Sequence, residues 1–164
     1  HSGTRKLGEE RSLIVGEAIG EDGILMEEYR NRKLLERYLE PASFKYGMSM
    51  PELYLLLYLK DGERILSRKK LADLTNLSAG SLTVAIQKLS AKKMAASREE
   101  PRKKGEERKL RISVLPAAEP VLADLVRAEQ DFCQGKFQDF SDEELHQYRV
   151  LEEKIKRNIL RVLH

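Results

Sequence analysis

Residues 66–112 read LSRKKLADLTNLSAGSLTVAIQKLSAKKMAASREEPRKKGEERKLRI, and this stretch decides the fold. Ser67 is placed to cap a short helix over 68–75, with Leu71 and Leu74 turned inward. Asn76-Leu77 reads as a turn. Ser78 caps a second helix over 79–92, whose inward stripe is Leu82, Ala85, Ile86 and Leu89. Residues 94–98 and 109–114 can pair as an antiparallel hairpin, and 99–108 is too charged to be anything but its exposed tip. Residues 63–112 hold fourteen Lys/Arg against six Asp/Glu, a net charge of +8, while the whole chain carries only +3. Basic charge concentrated on a helix-turn-helix with a hairpin is the pattern of a protein that grips duplex DNA.

The faces of this segment divide the work. With the apolar stripe of the second helix turned inward, Gly80, Ser81, Thr83, Val84 and Gln87 are left on the open face. The Ser78 and Ser81 hydroxyls and the helix N-terminus suit a phosphate, and Gly80 permits close backbone approach. Gln87 can pair with adenine through two hydrogen bonds, while Val84 and the Thr83 methyl suit a thymine methyl. Lys88 lies beside the groove, and Ser67 and Arg68 begin the preceding helix near the backbone. On the hairpin tip, Arg102, Lys103, Lys104 and Arg108 are the candidate contacts, since a loop-borne arginine is favoured in a narrow minor groove.

Outward from this core, Ser49-Met-Pro-Glu52 is a capping box with proline in the first turn. It opens a helix over 52–60 that is apolar nearly all round and should be buried on several sides. Upstream, Leu25, Tyr29, Arg32, Leu35 and Leu39 keep helical spacing over 22–40, and Pro41 is expected to end that run. Residues 1–20 have helical periodicity weakened by Gly8, Gly16 and Gly20. Downstream, Pro116 restarts helix, and Ser141-Asp-Glu-Glu144 is a second capping box. Leu145, Tyr148, Leu151, Ile155, Ile159 and Val162 then carry a helix roughly 30 Å long. Such a helix is hard to bury on a small lobe and is expected to pack against a second copy of itself.

The expected fold is therefore mainly α with a small β-hairpin wing. Residues 1–47 form an N-terminal helical segment for dimerisation, 48–115 a winged helix-turn-helix lobe, and 116–164 C-terminal dimerisation helices. A single cysteine among 164 residues excludes an internal disulfide. With no secretory signal and no long apolar run, that points to a cytoplasmic protein without a membrane partner. His1, His146 and His164 are scattered, so no metal or other cofactor is expected. No nucleophile–histidine pair, phosphate loop or paired carboxylates are assembled, and an enzyme is not expected. The competing class is a winged-helix module that binds protein through its basic face.

From about residue 48 to residue 163 the chain resembles the MarR family of bacterial transcriptional regulators. The matching run is Leu71-Ala-Asp-Leu-Thr-Asn-Leu-Ser-Ala-Gly-Ser-Leu-Thr-Val-Ala-Ile-Gln-Lys-Leu89, with Ser-Arg98, the wing, and Arg111-Ile-Ser-Val-Leu115. The resemblance implies a homodimer joined by its terminal helices, a recognition helix over 78–88, and Arg108 as the wing-tip arginine of an acidic-x-Arg motif. It also implies a pocket between the dimer helices and the winged lobe for a small aromatic or anionic effector. Tyr46, Met48, Tyr54 and Tyr58, with Tyr29 or Tyr38, are the residues placed to line it. This chain departs from the family pattern at four points. Glu106 stands for Asp before the wing arginine, Lys93 for Gly after the recognition helix, Val84 for a basic residue, and Pro116 for Thr. Cys133, between Phe132 and Phe137, reads as a buried, inert thiol.

Overall fold

The computed structural model describes residues 2–164, with side chains from residue 6 onward; His1 lies outside the described residues. Two compact units divide the chain, the first running to Glu129 and the second from Gln130 to His164. The first unit contains helices α1 (Ser2–Glu17), α2 (Ile24–Tyr46) and α3 (Met50–Tyr58), strand β1 (Arg64–Leu66), helices α4 (Arg68–Thr75) and α5 (Ala79–Ala91), and strands β2 (Ala95–Glu99) and β3 (Leu110–Val114). A 3-10 turn, Pro116–Ala118, leads into α6 (Glu119–Lys136), which runs past the boundary, and α7 (Asp142–Leu163) fills the second unit. Among the described residues, no helix is long and apolar enough to cross a membrane.

The core is assembled around α3. Leu53, Leu55, Leu56 and Leu59 are all buried, as expected of a helix apolar nearly all round. They share one core cluster with Leu39 and Ala42 of α2, Leu71 of α4, Leu82 and Leu89 of α5, Ile112 of β3, and Val121 and Leu125 of α6. Thus α6 enters the same core as the winged elements, and the first unit extends beyond residue 115.

In the first unit, two elements differ from the sequence expectation. Pro41 does not end α2, which continues to Tyr46. A proline inside a helix costs about 3 kcal/mol, but Leu39 and Ala42 on either side are fixed in the core, and that packing holds the helix together. The helix stops instead at Gly47, in the left-handed region at φ 60°, where the Ser43 carbonyl accepts from the Gly47 and Met48 N–H groups. The second difference is β1, which pairs antiparallel with β3 and makes a three-stranded sheet of order β1-β3-β2. A three-residue strand has too few positions to show alternation in sequence.

In the second unit, Ser141 and Glu144 form the capping box expected for α7, and Phe137 meets Phe140 and Tyr148 edge-on. No residue of α7 is buried. Leu145, Tyr148, Leu151, Ile155, Ile159 and Val162 form an apolar stripe open to solvent within the single chain. Cys133 is exposed rather than buried. Phe132 turns partly inward, and the next residue, about 100° further round the helix, falls on the open side.

Candidate nucleic-acid interface and adjoining cleft

Local capping fixes the helix-turn-helix. The Ser67 hydroxyl accepts from the Lys70 N–H at 3.1 Å and starts α4. That helix ends at Asn76, whose φ of 55° is left-handed, and the Leu77 N–H returns to the Ala72 carbonyl at 2.9 Å. Asparagine tolerates this conformation better than most residues. Ser78 then accepts from the Ser81 N–H at 3.1 Å and begins α5. Leu82, Ala85, Ile86 and Leu89 are buried, as the spacing predicts.

The opposite face of α5 is open. Gly80, Ser81, Thr83, Val84, Gln87 and Lys88 are all exposed, with Val84 at 48 %. A side chain added at Gly80 would meet nothing within 4 Å, so no intrachain packing requires glycine there. Thr83 donates its hydroxyl to the Ala79 carbonyl at 3.0 Å, which uses that proton inside the helix. Ser78 is less available to phosphate than its sequence position suggests, because its hydroxyl also donates to the Ser81 hydroxyl at 3.0 Å. Ser81 keeps its own proton to give.

At the far end of α5, Lys92 donates to Glu52 Oε2 at 2.8 Å. Glu52 is 1 % exposed, and its other oxygen accepts from the Ser49 N–H and hydroxyl. Burial drives the Glu52 carboxyl upward, but the bonds from Lys92 and Ser49 outweigh it and hold the group below its ordinary range. The ion pair therefore ties the C-terminus of α5 to the N-terminus of α3. Lys93 follows at φ 56°. The turn thus keeps the left-handed geometry that glycine favours, at a cost of about 1–2 kcal/mol in backbone strain.

On the wing, the structure separates four residues that the sequence grouped. Arg102 donates to the Glu106 carbonyl at 2.8 Å, and the Lys103 N–H donates to the Glu106 carboxylate at 3.1 Å. Together with Gly105 at φ 88° these close the tip on itself. Arg102 thus braces the loop, and Glu106 braces the loop rather than Arg108. The side chains of Lys103, Lys104 and Arg108 stay exposed without a hydrogen-bond partner among the described residues. Arg68 lies 3.8 Å from Glu99, a loose exposed pair. Arg111 is neutralised by Glu63 and Glu100. The Glu100 bond, opposed by desolvation and aided by the Glu63 bond, holds the Arg111 guanidinium above its usual range. Part of the segment's positive charge is therefore structural.

Beside the helix-turn-helix, a cleft of about 600 Å³ is lined by Glu28, Asn31, Arg32 and Leu35 of α2, Tyr54, Leu57 and Tyr58 of α3, Leu74, Thr75 and Asn76, and Glu129. Of the six residues grouped as pocket-lining, only Tyr54 and Tyr58 reach it. Met48 is sealed in the core, Tyr38 packs against it, Tyr46 donates to Asp124 at 2.7 Å, and Tyr29 lines a separate shallow groove along α2. Helical phase explains this, because Arg32 and Leu35, not Tyr29 and Tyr38, share the face toward α3. Leu74 is 49 % exposed instead of inward-facing, because it forms a wall of this cleft. Burial, then the bond Tyr54 donates to Glu36 at 2.9 Å, pushes the Tyr54 hydroxyl up to about 12. Lys60 is hydrogen-bonded to Glu129 at the rim. Sequence reading passed over Arg32 as a site residue. Its signal was a charged side chain inside an otherwise apolar helical stripe.

No family model matches the chain, and no curated protein matches it in sequence. Solved structures do match. A MarR transcriptional regulator from Methanosarcina mazei Go1 superposes with a TM-score of 0.63 at 18% identity, over 89% of this chain and 92% of that one. A MarR-family regulator from Silicibacter pomeroyi gives 0.62 at 20% identity, over 81% and 89%. NadR, solved in complex with 4-hydroxyphenylacetate, gives 0.62 at 12% identity, over 81% and 92%. The fold is that of the winged-helix MarR regulators.

Proposed function

We propose that this winged-helix chain is a sequence-specific DNA-binding transcriptional regulator, a repressor acting as a homodimer on a pseudo-palindromic operator. The observation that carries this reading is the open, uncharged face of α5. It presents Gly80, Thr83, Val84 and Gln87 exposed to solvent, while Lys88 on the same helix and the wing side chains of Lys103, Lys104 and Arg108 are exposed cations of the same segment. Neutral groups of this kind read base edges, and flanking cations hold phosphates. Support for a dimer comes from the uncovered apolar stripe of α7 and from exposed Leu13, Ile14, Leu25 and Met26 on α1 and α2. Two-fold symmetry would place two recognition helices in successive major grooves, about 10 base pairs apart. The 600 Å³ cleft has the size and mixed lining of a small-molecule site. With NadR holding an aromatic acid, this supports effector control.

Selection from a random duplex library, followed by salt titration of the enriched sequence, tests the reading. A dimer making about ten phosphate contacts should show a log–log salt slope near −9. Enrichment of no sequence would point instead to the winged helix as a protein-binding module.

A further inference from the structure

From Leu74 to Gln87 no residue is charged, although this run lies inside the basic segment. On the open side of α5, Gly80, Thr83, Val84 and Gln87 have helical spacing and share one face. Two of these side chains end in methyl groups. Val84 is apolar and 48 % exposed. Thr83 gives its hydroxyl proton to the Ala79 carbonyl, which leaves a methyl and an acceptor oxygen to meet a partner. Gly80 contributes clearance. Glycine weakens a helix relative to alanine, yet a side chain there would meet nothing within 4 Å. Nothing inside the chain therefore requires the missing Cβ. Helical side chains lean toward the N-terminus, so Thr83 and Val84 incline over the space that Gly80 leaves.

We propose that Val84, with Thr83 beside it and Gly80 giving room, is the specificity-determining residue for the C5-methyl group of a pyrimidine in the major groove. The inference deepens the DNA-binding reading and rests on it. Base edges in the major groove offer hydrogen-bond donors and acceptors at every pair, and the one apolar projection is the thymine C5-methyl. A valine set against any other edge strips water from a donor or acceptor and puts no bond in its place. Against the methyl it buries apolar surface on both sides. Cytosine presents the same group once it is methylated at C5, so the shared chemistry is a C5-methylpyrimidine. Gln87 lies nearly one turn beyond Val84, about 4.5 Å along the helix axis, against a base-pair rise of about 3.4 Å. The methyl-bearing pair is therefore one or two steps from the pair that Gln87 meets.

The duplex enriched from a random library is the probe, resynthesised with each thymine in turn replaced by deoxyuridine and titrated against the full chain. In the wild type, one thymine per half-site should lose about fourfold in affinity on that exchange, the transfer free energy of one buried carbon group. It should fall within about two base pairs of the position that Gln87→Ala relaxes. Val84→Ala should bind the thymine and uracil duplexes alike. Gly80→Ala should unfold about 2–4 °C higher, as alanine does at an open helical position, and yet lose the thymine preference, because its Cβ fills the space over which Val84 leans. A purely structural role for Gly80 would not move that ratio. Changing the sensitive T·A pair to C·G and to 5-methylcytosine·G separates the two sources. A gain of about fourfold on methylation shows that either source is read, and no gain confines the readout to thymine. The proposal is overturned if no thymine responds to uracil, or if Val84→Ala and Gly80→Ala keep the wild-type ratio. Either result would leave a sequence-specific DNA-binding protein standing. Enrichment of no duplex would overturn the operator reading and this inference together.

Discussion

Replacing Lys92 with methionine is the sharpest test of how α5 is held. The substitution keeps an unbranched apolar stem of the same four atoms' length and removes the ammonium, which lies 2.8 Å from Glu52 Oε2. Glu52 stays buried at 1 % exposure. Breaking one side of a buried ion pair costs about 3–5 kcal/mol when the remaining charge is left bare. Two observations reduce that figure. Ser49 still offers its N–H at 3.1 Å and its hydroxyl at 3.0 Å, and the Lys92 side chain is 34% exposed, so water can reach the vacated oxygen. The expected loss is about 2–3 kcal/mol near neutral pH. The pH dependence carries the sign. In the wild type the folded Glu52 carboxyl sits below its ordinary value of 4.5. Its contribution is therefore fully present above that value and is lost as pH falls through the lower folded one. Without Lys92 the balance tips toward burial, and the folded carboxyl rises, so protonation relieves the variant while it weakens the wild type. Urea unfolding at neutral pH and at about pH 3.5 reads both effects, and the gap between the proteins should narrow in acid. A variant within about 0.5 kcal/mol of the wild type at neutral pH, the ordinary scatter of surface substitutions, would refute the coupling. So would a gap that stays constant with pH.

The remaining predictions address other links. Lys93→Gly relieves a left-handed residue at φ 56° and should stabilise the chain by about 1 kcal/mol in the same unfolding assay. Arg108→Ala removes one phosphate contact from each protomer of the proposed dimer, and should weaken binding to all duplexes and make the salt slope shallower by about two. Gln87→Ala should instead relax preference at one base pair per half-site, at roughly 1–3 kcal/mol in competition assays. Equal losses on every sequence would remove Gln87 from base readout. Ile155→Glu, at a position 51% exposed on the apolar stripe of α7, should shift sedimentation toward monomer while leaving the far-ultraviolet helix signal intact. An unchanged sedimentation coefficient would remove that stripe from the dimer interface.

Much of the fold was legible because the physics that set it is local. Ser49, Ser67, Ser78 and Ser141 each cap the helix they announce, since a cap needs only a side-chain oxygen and an N–H two or three residues on. The stripe of α5 follows from a 3.6-residue period, and its complement is the open face. Local rules also misled. Pro41 is a strong breaker in isolation, yet burial of Leu39 and Ala42 carries α2 through it. Cys133 between aromatic residues looked enclosed, but it lies on the open side of α6.

The basic helix-turn-helix, the wing and the neutral open face of α5 were determined by the sequence itself, because capping and periodicity act over a few residues. What only the tertiary structure decided are meetings between distant residues. Lys92 finds Glu52 across 40 positions, and Arg102 and Arg111 are withdrawn into structural bonds. No periodicity encodes such pairs. They depend on how helices cross once a shared core forms, and that crossing is fixed by the packing of the whole unit.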